Sequence, residues 1–493
     1  MIISKSDYIK YYQCPKCLWL YKNRKDLIPE DIGEQMAGML AGGQAVEDEA
    51  YKLFPKGAAV PGGGFRESID NTTKLILDKA PVIFQASFWN NDLFCRSDII
   101  KHNPKDNTWD IYEVKSATKV KPEYIPDLAF QKTCLYEAGL KVNKTYIIYV
   151  NNEYVRQGEI EPEKFLKTKD VTKKVNDLIE EIQGNIYKIY DLIKQKEEPK
   201  VRIVKQCENP YPCMFIDYCW LHIPEHSIYN FYPSEDEINR LLDDNIIDLA
   251  DVPAGIITRD KYKKYYEAHK ADKVIINKKA IREELNKYKY PLYFLDYETN
   301  SPGVPAFNGY RPYQRMTFQY SLHVLEKPGG ELKHYEYLAD KNEDPSPGLA
   351  KSLSKLIGPK GSVVVWYKGF EAGCNTEMGE RYPEYAAFFE DINSRLLDLM
   401  EFFSNGYYVD KNFFGSASLK KVLPVFVPHL SYQDLIIQEG MAASDSWPVL
   451  IGNDIGEQEK KDLKSDMLKY CGLDTYGMVE IFRILNEKMI DER

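Results

Sequence analysis

Apolar and polar positions follow two periods along this chain. From Val82 to Ile100 they alternate, which predicts a pair of strands. Asn103-Pro-Lys-Asp-Asn107 reads as a turn and Trp109 to Lys115 as the returning strand. Between Pro126 and Leu140 the period lengthens to that of an amphipathic helix, and Thr145 to Val150 is a further strand. Upstream, a capped helix starts at Ser6-Asp7-Tyr8, Pro15 breaks it, and another helical segment follows Gly42-Gly43. Charged helices occupy 161–198. From Pro233 to Tyr288 the pattern is charged and helical without strand signals, which predicts a helical connector. A strand at Leu292 opens the second half, with further strands over 315–326 and 362–366. Helices dominate after that, over 383–403, 418–423 and 457–489.

A chain of 493 residues holds roughly two to four domains, and 44% apolar residues supply their cores. The net charge of −10 excludes a uniformly basic nucleic-acid wrapper, though not a local lysine-lined groove. No apolar run is long enough to span a bilayer, and Met1-Ile-Ile-Ser-Lys-Ser-Asp7 lacks the apolar core of a signal peptide. A cytoplasmic location is therefore expected, with no membrane partner. In a reducing compartment the nine cysteines point to ligands or buried thiols rather than disulfides.

Asp110-Ile-Tyr-Glu113-Val-Lys115 places Glu113 and Lys115 on one face of a strand. Asp98 lies on the preceding strand, so pairing of the two would bring all three together. Two carboxylates suit Mg2+ or Mn2+, and a lysine ammonium can steady a water nucleophile or a scissile phosphate. This stretch resembles the RecB-like branch of the PD-(D/E)xK nuclease superfamily. That branch has a G-x-x-V-H motif, which Gly43-Gln-Ala-Val46-Glu47 matches with Glu in place of His. Asp98 matches its D motif, and Glu113 with Lys115 its E-x-K. Phe130-Gln131, with Tyr136, fits its downstream helix. The resemblance implies Glu47, Asp98 and Glu113 as metal ligands and Lys115 and Gln131 as catalytic residues.

Cys207, Cys213 and Cys219 are separated by five residues each, unlike the C-x2-C pairs of zinc fingers. Three thiolates need a fourth, and Cys14 or Cys17 could supply it, joining the two ends of the first domain. Members of the RecB-like branch carry one cysteine near the start and three after the nuclease core, holding a [4Fe–4S] cluster. The resemblance covers about residues 1–225 and implies Cys14, in Tyr12-Gln-Cys14-Pro15, together with Cys207, Cys213 and Cys219. Structural zinc and plain buried thiols are the alternatives. Cys95, Cys134, Cys374 and Cys471 read as ordinary buried residues.

In the second half, Tyr293-Phe-Leu-Asp296-Tyr-Glu298 delivers two acids to one strand face. Near the C-terminus, Tyr470 and Asp474 are four apart and share a helix face. Together they resemble the DnaQ-like 3′→5′ exonucleases with a Tyr before the last Asp, a family with an RNase H-like fold. The resemblance covers about residues 290–485. It implies a two-metal site with Asp296, Glu298 and Asp474 as ligands and Tyr470 orienting the attacking water. One further acid is required. Glu371, in Val365-Trp-Tyr-Lys-Gly-Phe-Glu371, and Asp398, in Arg395-Leu-Leu-Asp398, both remain open, with Glu371 preferred.

The expected architecture is α/β. It has a PD-(D/E)xK, restriction-endonuclease-like domain over 1–230, a helical connector over 231–288, and a DnaQ-type, RNase H-like domain over 289–493. The expected function is a nuclease dependent on Mg2+ or Mn2+ with two phosphodiesterase sites, acting on nucleic acid and on DNA before RNA. A nucleic-acid-binding scaffold with decayed sites, and an RNA-directed exonuclease, are the rival expectations.

Overall fold

The computed structural model describes residues 2–29, 32–253, 255–433 and 435–490. It is a mixed α/β protein of two units: Met1–His222 with Pro302–Gln314, and Ile223–Ser301 with Arg315–Arg493. The helices of the expected connector fall within the second unit.

The first unit is built on a seven-stranded sheet. Its strands are β1 (Ile3–Ser4), β2 (Gly57–Ala59), β3 (Val82–Asn90), β4 (Leu93–Asn103), β5 (Thr108–Lys115), β6 (Val142–Val150) and β7 (Leu166–Asp170). The spatial order is β2-β3-β4-β5-β6-β7, with β1 pairing β4. The β3–β4 hairpin turns at Asn91 and Asp92, both with positive φ (47° and 65°), as a tight right-twisted hairpin requires. Helices α1 (Lys5–Gln13) and α2 (Pro15–Asn23) open the unit. The cap of α1 is Ser4, two residues before the expected start, in a reciprocal capping box with Asp7. Cys14 ends α1 and N-caps α2, where Pro15 at the first helical position needs no donor. Helix α3 (Ile32–Tyr51) carries the Gly43–Glu47 stretch, α4 (Phe65–Leu77) packs on β3, and α5 (Tyr124–Glu137) crosses between the parallel strands β5 and β6. Helix α6 (Ile179–Ile193) packs on α5. Apolar cores lie on both sides of the sheet: one joins Leu18, Phe130 and Ile189, the other Val46, Phe84 and Phe165.

The second unit begins with α7 (Glu235–Asp243), α8 (Asp260–Ala271), β8 (Ile275–Ile276) and α9 (Lys278–Leu285). Its five-stranded sheet has the order β11-β10-β9-β12-β13. These are β9 (Leu292–Asn300), β10 (Met316–Leu325), β11 (Leu332–Leu338), β12 (Ser362–Val365) and β13 (Leu396–Asp398). Strands β9, β10 and β11 are antiparallel, and β12 and β13 run parallel to β9. Strand β14 (Tyr408–Val409) pairs with β8, so the expected strand-free segment does contribute to a small sheet. The continuous helix expected over 383–403 is instead broken: β13 interrupts it because Leu396 and Leu397 pair with Val363 and Val364. Helices α10 (Ser346–Leu353), α11 (Lys368–Arg381), α12 (Ala386–Ser394), α13 (Leu419–Phe426), α14 (Gly440–Ile451) and α15 (Glu457–Ile490) complete the unit. No helix among the described residues is long and apolar enough to cross a membrane.

Candidate functional sites

The β4–β5 ladder ends at Ile99–Tyr112, so Asp98 and Glu113 lie just past its last pair. Freed from the ladder, the Val114 N–H donates to Asp98 Oδ2 at 2.8 Å. Glu113 is buried. Its Oε1 accepts from Lys5 Nζ at 3.0 Å and Lys115 Nζ at 2.7 Å, and its Oε2 from Gln131 Nε2 at 2.6 Å. Asp127 lies one turn before Gln131 on α5. It accepts from Lys115 at 2.8 Å and Gln131 at 2.9 Å, and its Oδ1 is 3.5 Å from Lys5 Nζ. Glu47 accepts from the Tyr51 hydroxyl and the Gln85 amide. The predicted Asp98, Glu113, Lys115 and Gln131 are thus gathered, with the charge of Glu47 felt at Asp98. Lys5 and Asp127 join them unforeseen. Tyr136, 71% exposed, stays outside the group.

The charges of this cluster are unevenly matched. Burial, then Glu113, pushes Asp98 up to about 8. Burial alone would lower Lys115, but Asp127 and then Glu113 outweigh it and hold the ammonium well above its usual range. Burial would raise Asp127, yet Lys115 and Lys5 hold it well below the usual carboxylate range. Asp127 and Glu113 together balance the two lysines, and Asp98 has no ion pair among the described residues. Such an acid suits a cation.

The cysteines gather at the far end of the same unit. Gln13 Nε2 donates to Gln206 O at 2.8 Å and Tyr211 O at 2.6 Å, tying the end of α1 to the cysteine loop. Cys213 N–H donates to Cys207 O at 2.8 Å, which folds that loop on itself. Cys14, Cys207, Cys213 and Cys219 lie near enough to perturb one another's charge. Burial raises Cys14, while the Cys17 and Lys16 N–H groups at the start of α2 favour its thiolate. Cys17 belongs to the group too: its thiol hydrogen-bonds to Cys213, whose own thiol is drawn down to about 7 by that contact. Soft sulfur donors of this kind fit an iron–sulfur cluster or zinc.

In the second unit, Asp296 and Glu298 share a face of β9. Cys471, on α15, brings its Sγ 3.4 Å from Asp296 Oδ2, and the three side chains offer ligand atoms within 4.8 Å of one another. Cys471 is thus no ordinary core thiol. Tyr470 and Asp474 flank it on α15, and both are buried. The Tyr432 hydroxyl donates to Asp474 Oδ1, and Tyr470 hydrogen-bonds to the same carboxylate. Lys420 Nζ lies 6.0 Å from the ring centroids of both tyrosines. Glu371, in the first turn of α11, is 1% exposed, and its Oε2 has no hydrogen-bond partner among the described residues. Asp398 is differently occupied. It accepts from the Tyr367, Lys368 and Met400 N–H groups at 3.1, 2.9 and 3.0 Å, capping α11.

These acids repel one another. Burial and then Asp474 hold Asp296 well above the carboxylate range. Burial and then Asp296 do the same to Glu298 and Glu371. Asp474 is pushed up only to about 6, because burial is opposed by the Tyr432 hydrogen bond and Lys420. Hard carboxylate oxygens, too many for the nearby positive charge, are the donor set that Mg2+ or Mn2+ takes.

Residues 293–418 match a family described as a domain of unknown function, DUF2779. That span holds Asp296, Glu298, Glu371 and Asp398 and ends before Tyr470 and Asp474. The chain is also similar to the uncharacterized protein MG366 of Mycoplasma genitalium, 24% identical over 46% of this chain and 37% of the relative. Its homolog in Mycoplasma pneumoniae is 26% identical over 41% of this chain and 33% of its own length. The matched part thus spans about a third of the length of these curated relatives.

Proposed function

We propose that the chain is a metal-dependent nuclease with two phosphodiester-hydrolysing sites, acting in the cytoplasm on ends or single strands of DNA. In this reading the first unit is a RecB-like PD-(D/E)xK domain and the second an RNase H-like, DnaQ-type 3′→5′ exonuclease. The observation that carries it is the meeting of Asp296, Glu298, Glu371 and Asp474 beside Tyr470, from three separate elements. Divalent ions held by these acids would supply an activated water and charge to match the phosphate. Tyr470, hydrogen-bonded to Asp474, positions the attacking water, and Lys420 adds positive charge on the same side. Tyr432 fixes the Asp474 carboxylate.

In the first unit Glu47, Asp98 and Glu113 would hold Mg2+ or Mn2+. Lys115, kept protonated by Asp127, faces the scissile phosphate, and Gln131 orients Glu113. Cys14, Cys207, Cys213 and Cys219 would hold a [4Fe–4S] cluster that ties the start of the unit to its end.

Cleavage of labelled single-stranded DNA and matched RNA in Mg2+ or Mn2+ tests this. Asp296→Asn should remove one activity and Glu113→Gln the other. A double variant as active as the parent overturns the reading. One observation favours a second reading of the first unit. Both oxygens of Glu113 are already engaged, by Lys5, Lys115 and Gln131, as in a site that binds nucleic acid without cutting it. In that case Glu113→Gln leaves cleavage unchanged while Asp296→Asn abolishes all of it.

A further inference from the structure

The face of α15 opposite Tyr470 and Asp474 borders an open depression of about 770 Å3, within the size range of small-molecule sites. One wall is the helix itself, with Lys461, Lys464 and Lys469. A second side comes from β10 and β11, packed directly on the helix, and holds His323 and His334, whose rings stack with centroids 4.2 Å apart and 12° between planes. Leu430, Leu435 and Leu473 add apolar surface, and Glu336 is the sole carboxylate on the lining among the described residues. Two of the ammonium groups have outlying counter-ions: Lys464 pairs with Asp340 at 2.6 Å and Lys469 with Asp466 at 3.2 Å. Lys461 has none among the described residues.

The two histidines are tied to the sheet and to the helix itself. His323 Nδ1 bonds Thr475 Oγ1 at 2.8 Å, Thr475 bonds Ser321 Oγ at 2.7 Å, and Ser321 bonds His334 Nε2 at 2.9 Å. Among the described residues one nitrogen of each ring is used, which leaves His323 Nε2 and His334 Nδ1 for a ligand. Lysines and imidazoles give the lining positive charge and hydrogen-bonding groups, and the leucines give it apolar surface. Several point charges suit a doubly charged anion better than a single carboxylate. The volume is too large for a free inorganic ion and leaves room for an attached ring against the leucines.

We propose that this depression binds the phosphate monoester group of a nucleotide, with the phosphate at the lysines of α15 and the nucleoside against the leucines. The site also lies directly behind the acid cluster. Thr475 follows Asp474 in sequence, and Ser321 is the cross-strand partner of Asp296. An occupant that engages His323 and His334 is therefore one hydrogen bond from the residues that carry those two acids.

A free nucleoside monophosphate and the 5′ end of a strand both present such a phosphate, and titration calorimetry on the full chain in EDTA separates the two. The probes are inorganic phosphate, a nucleoside 5′-monophosphate, and oligonucleotides with and without a 5′-phosphate. Without divalent ions nothing is hydrolysed, so the result does not depend on the nuclease reading. Saturable binding of the monophosphate, displaced by inorganic phosphate and weakened at least about tenfold in a Lys461→Ala/Lys464→Ala variant of unchanged circular dichroism, supports the proposal with a free nucleotide as the source. Binding confined to the 5′-phosphorylated strand, and lost in the same variant, supports it with a strand end as the source. No saturable binding of any probe, or binding equal in parent and variant, overturns it.

Discussion

Asp474 is placed among two tyrosines and a lysine, and its protonation shows what each of them does. Burial raises its carboxyl to about 6, and the Tyr432 donor and Lys420 keep it from going higher. A ligand carboxylate must be ionised, so activity of the second unit should rise as pH climbs out of the acid range, with Asp474, the least raised of the four acids, ionising first. Tyr432→Phe removes a contact that stabilises the ionised form. The acid limb of the pH–rate profile should then move to higher pH, with the plateau reduced far less; a limb that stays in place would show that Tyr432 does not act through Asp474. The same sign governs stability. Acids whose folded pKa lies above the unfolded value bind more protons when folded, so stability is present at low pH and lost as pH rises through the folded pKa. In EDTA the Tm should fall from pH 5.5 to 8, and Mg2+ or Mn2+ should restore it. For Asp474 alone the rise from 3.8 to about 6 is worth about 3 kcal/mol in all, of which about 1 kcal/mol, or a few degrees, falls between pH 5.5 and 8. Some of these residues were legible from spacing. Asp296 with Glu298, Glu113 with Lys115, and Tyr470 with Asp474 are near neighbours on one strand or helix face. Lys5 was not, since it meets Glu113 across 108 positions of sequence. Asp127 could have been found, as it lies one helical turn before Gln131.

At the scale of elements, the two rival acids of the second unit separate by where their helices and strands put them. Strand β13 ends at Asp398, and its carboxylate closes the exposed N–H groups at the start of α11. That cap holds the helix whose first turn carries Glu371. Asp398→Ala should cost about 0.5–2 kcal/mol in stability, as loss of a helix cap does, and keep most of the activity per folded molecule. Glu371→Gln should do the reverse, with metal-dependent cleavage by the second unit lost and Tm in EDTA unchanged or higher. Thermal melts and single-strand cleavage on the two variants check this, and the opposite pattern would return the metal-binding role to Asp398. The strands that sequence periodicity missed include β7 (Leu166–Asp170), inside the span read as charged helices, and two further kinds. Strand β11, Leu332-Lys-His-Tyr-Glu-Tyr-Leu338, lies at the sheet edge and is mostly exposed, so it carries little hydrophobic alternation. Strands β8 and β13 are two and three residues long, and pairing with partners distant in sequence decides them. The long buried strands β4, β5, β9 and β10 were legible because burial imposes the pattern.

For the whole molecule, the cysteines set a constraint that no single element supplies. Cys14 stands at the junction of α1 and α2, and its proposed co-ligands begin at Cys207, so a shared cluster would close a ring of about 190 residues. Closing so long a ring removes about 4–5 kcal/mol of chain entropy from the unfolded state. That restraint acts only on the first unit, because all four thiols lie within Met1–His222. Cys14→Ser should therefore yield a protein without the brown colour and visible absorption of an anaerobically purified parent. Its first unit should melt roughly 10 °C or more lower. Cleavage lost in Asp296→Asn, which belongs to the second unit, should persist in Cys14→Ser at temperatures below that melt. Cys17 provides the control. It hydrogen-bonds to Cys213 but stands one turn into α2 beyond the helix start, so Cys17→Ser should keep the colour. Colour retained in Cys14→Ser and lost in Cys17→Ser would exchange their roles. A colourless parent holding stoichiometric zinc would replace the cluster with a metal that closes the same ring, and the melting of the first unit would then depend on chelator rather than on oxygen.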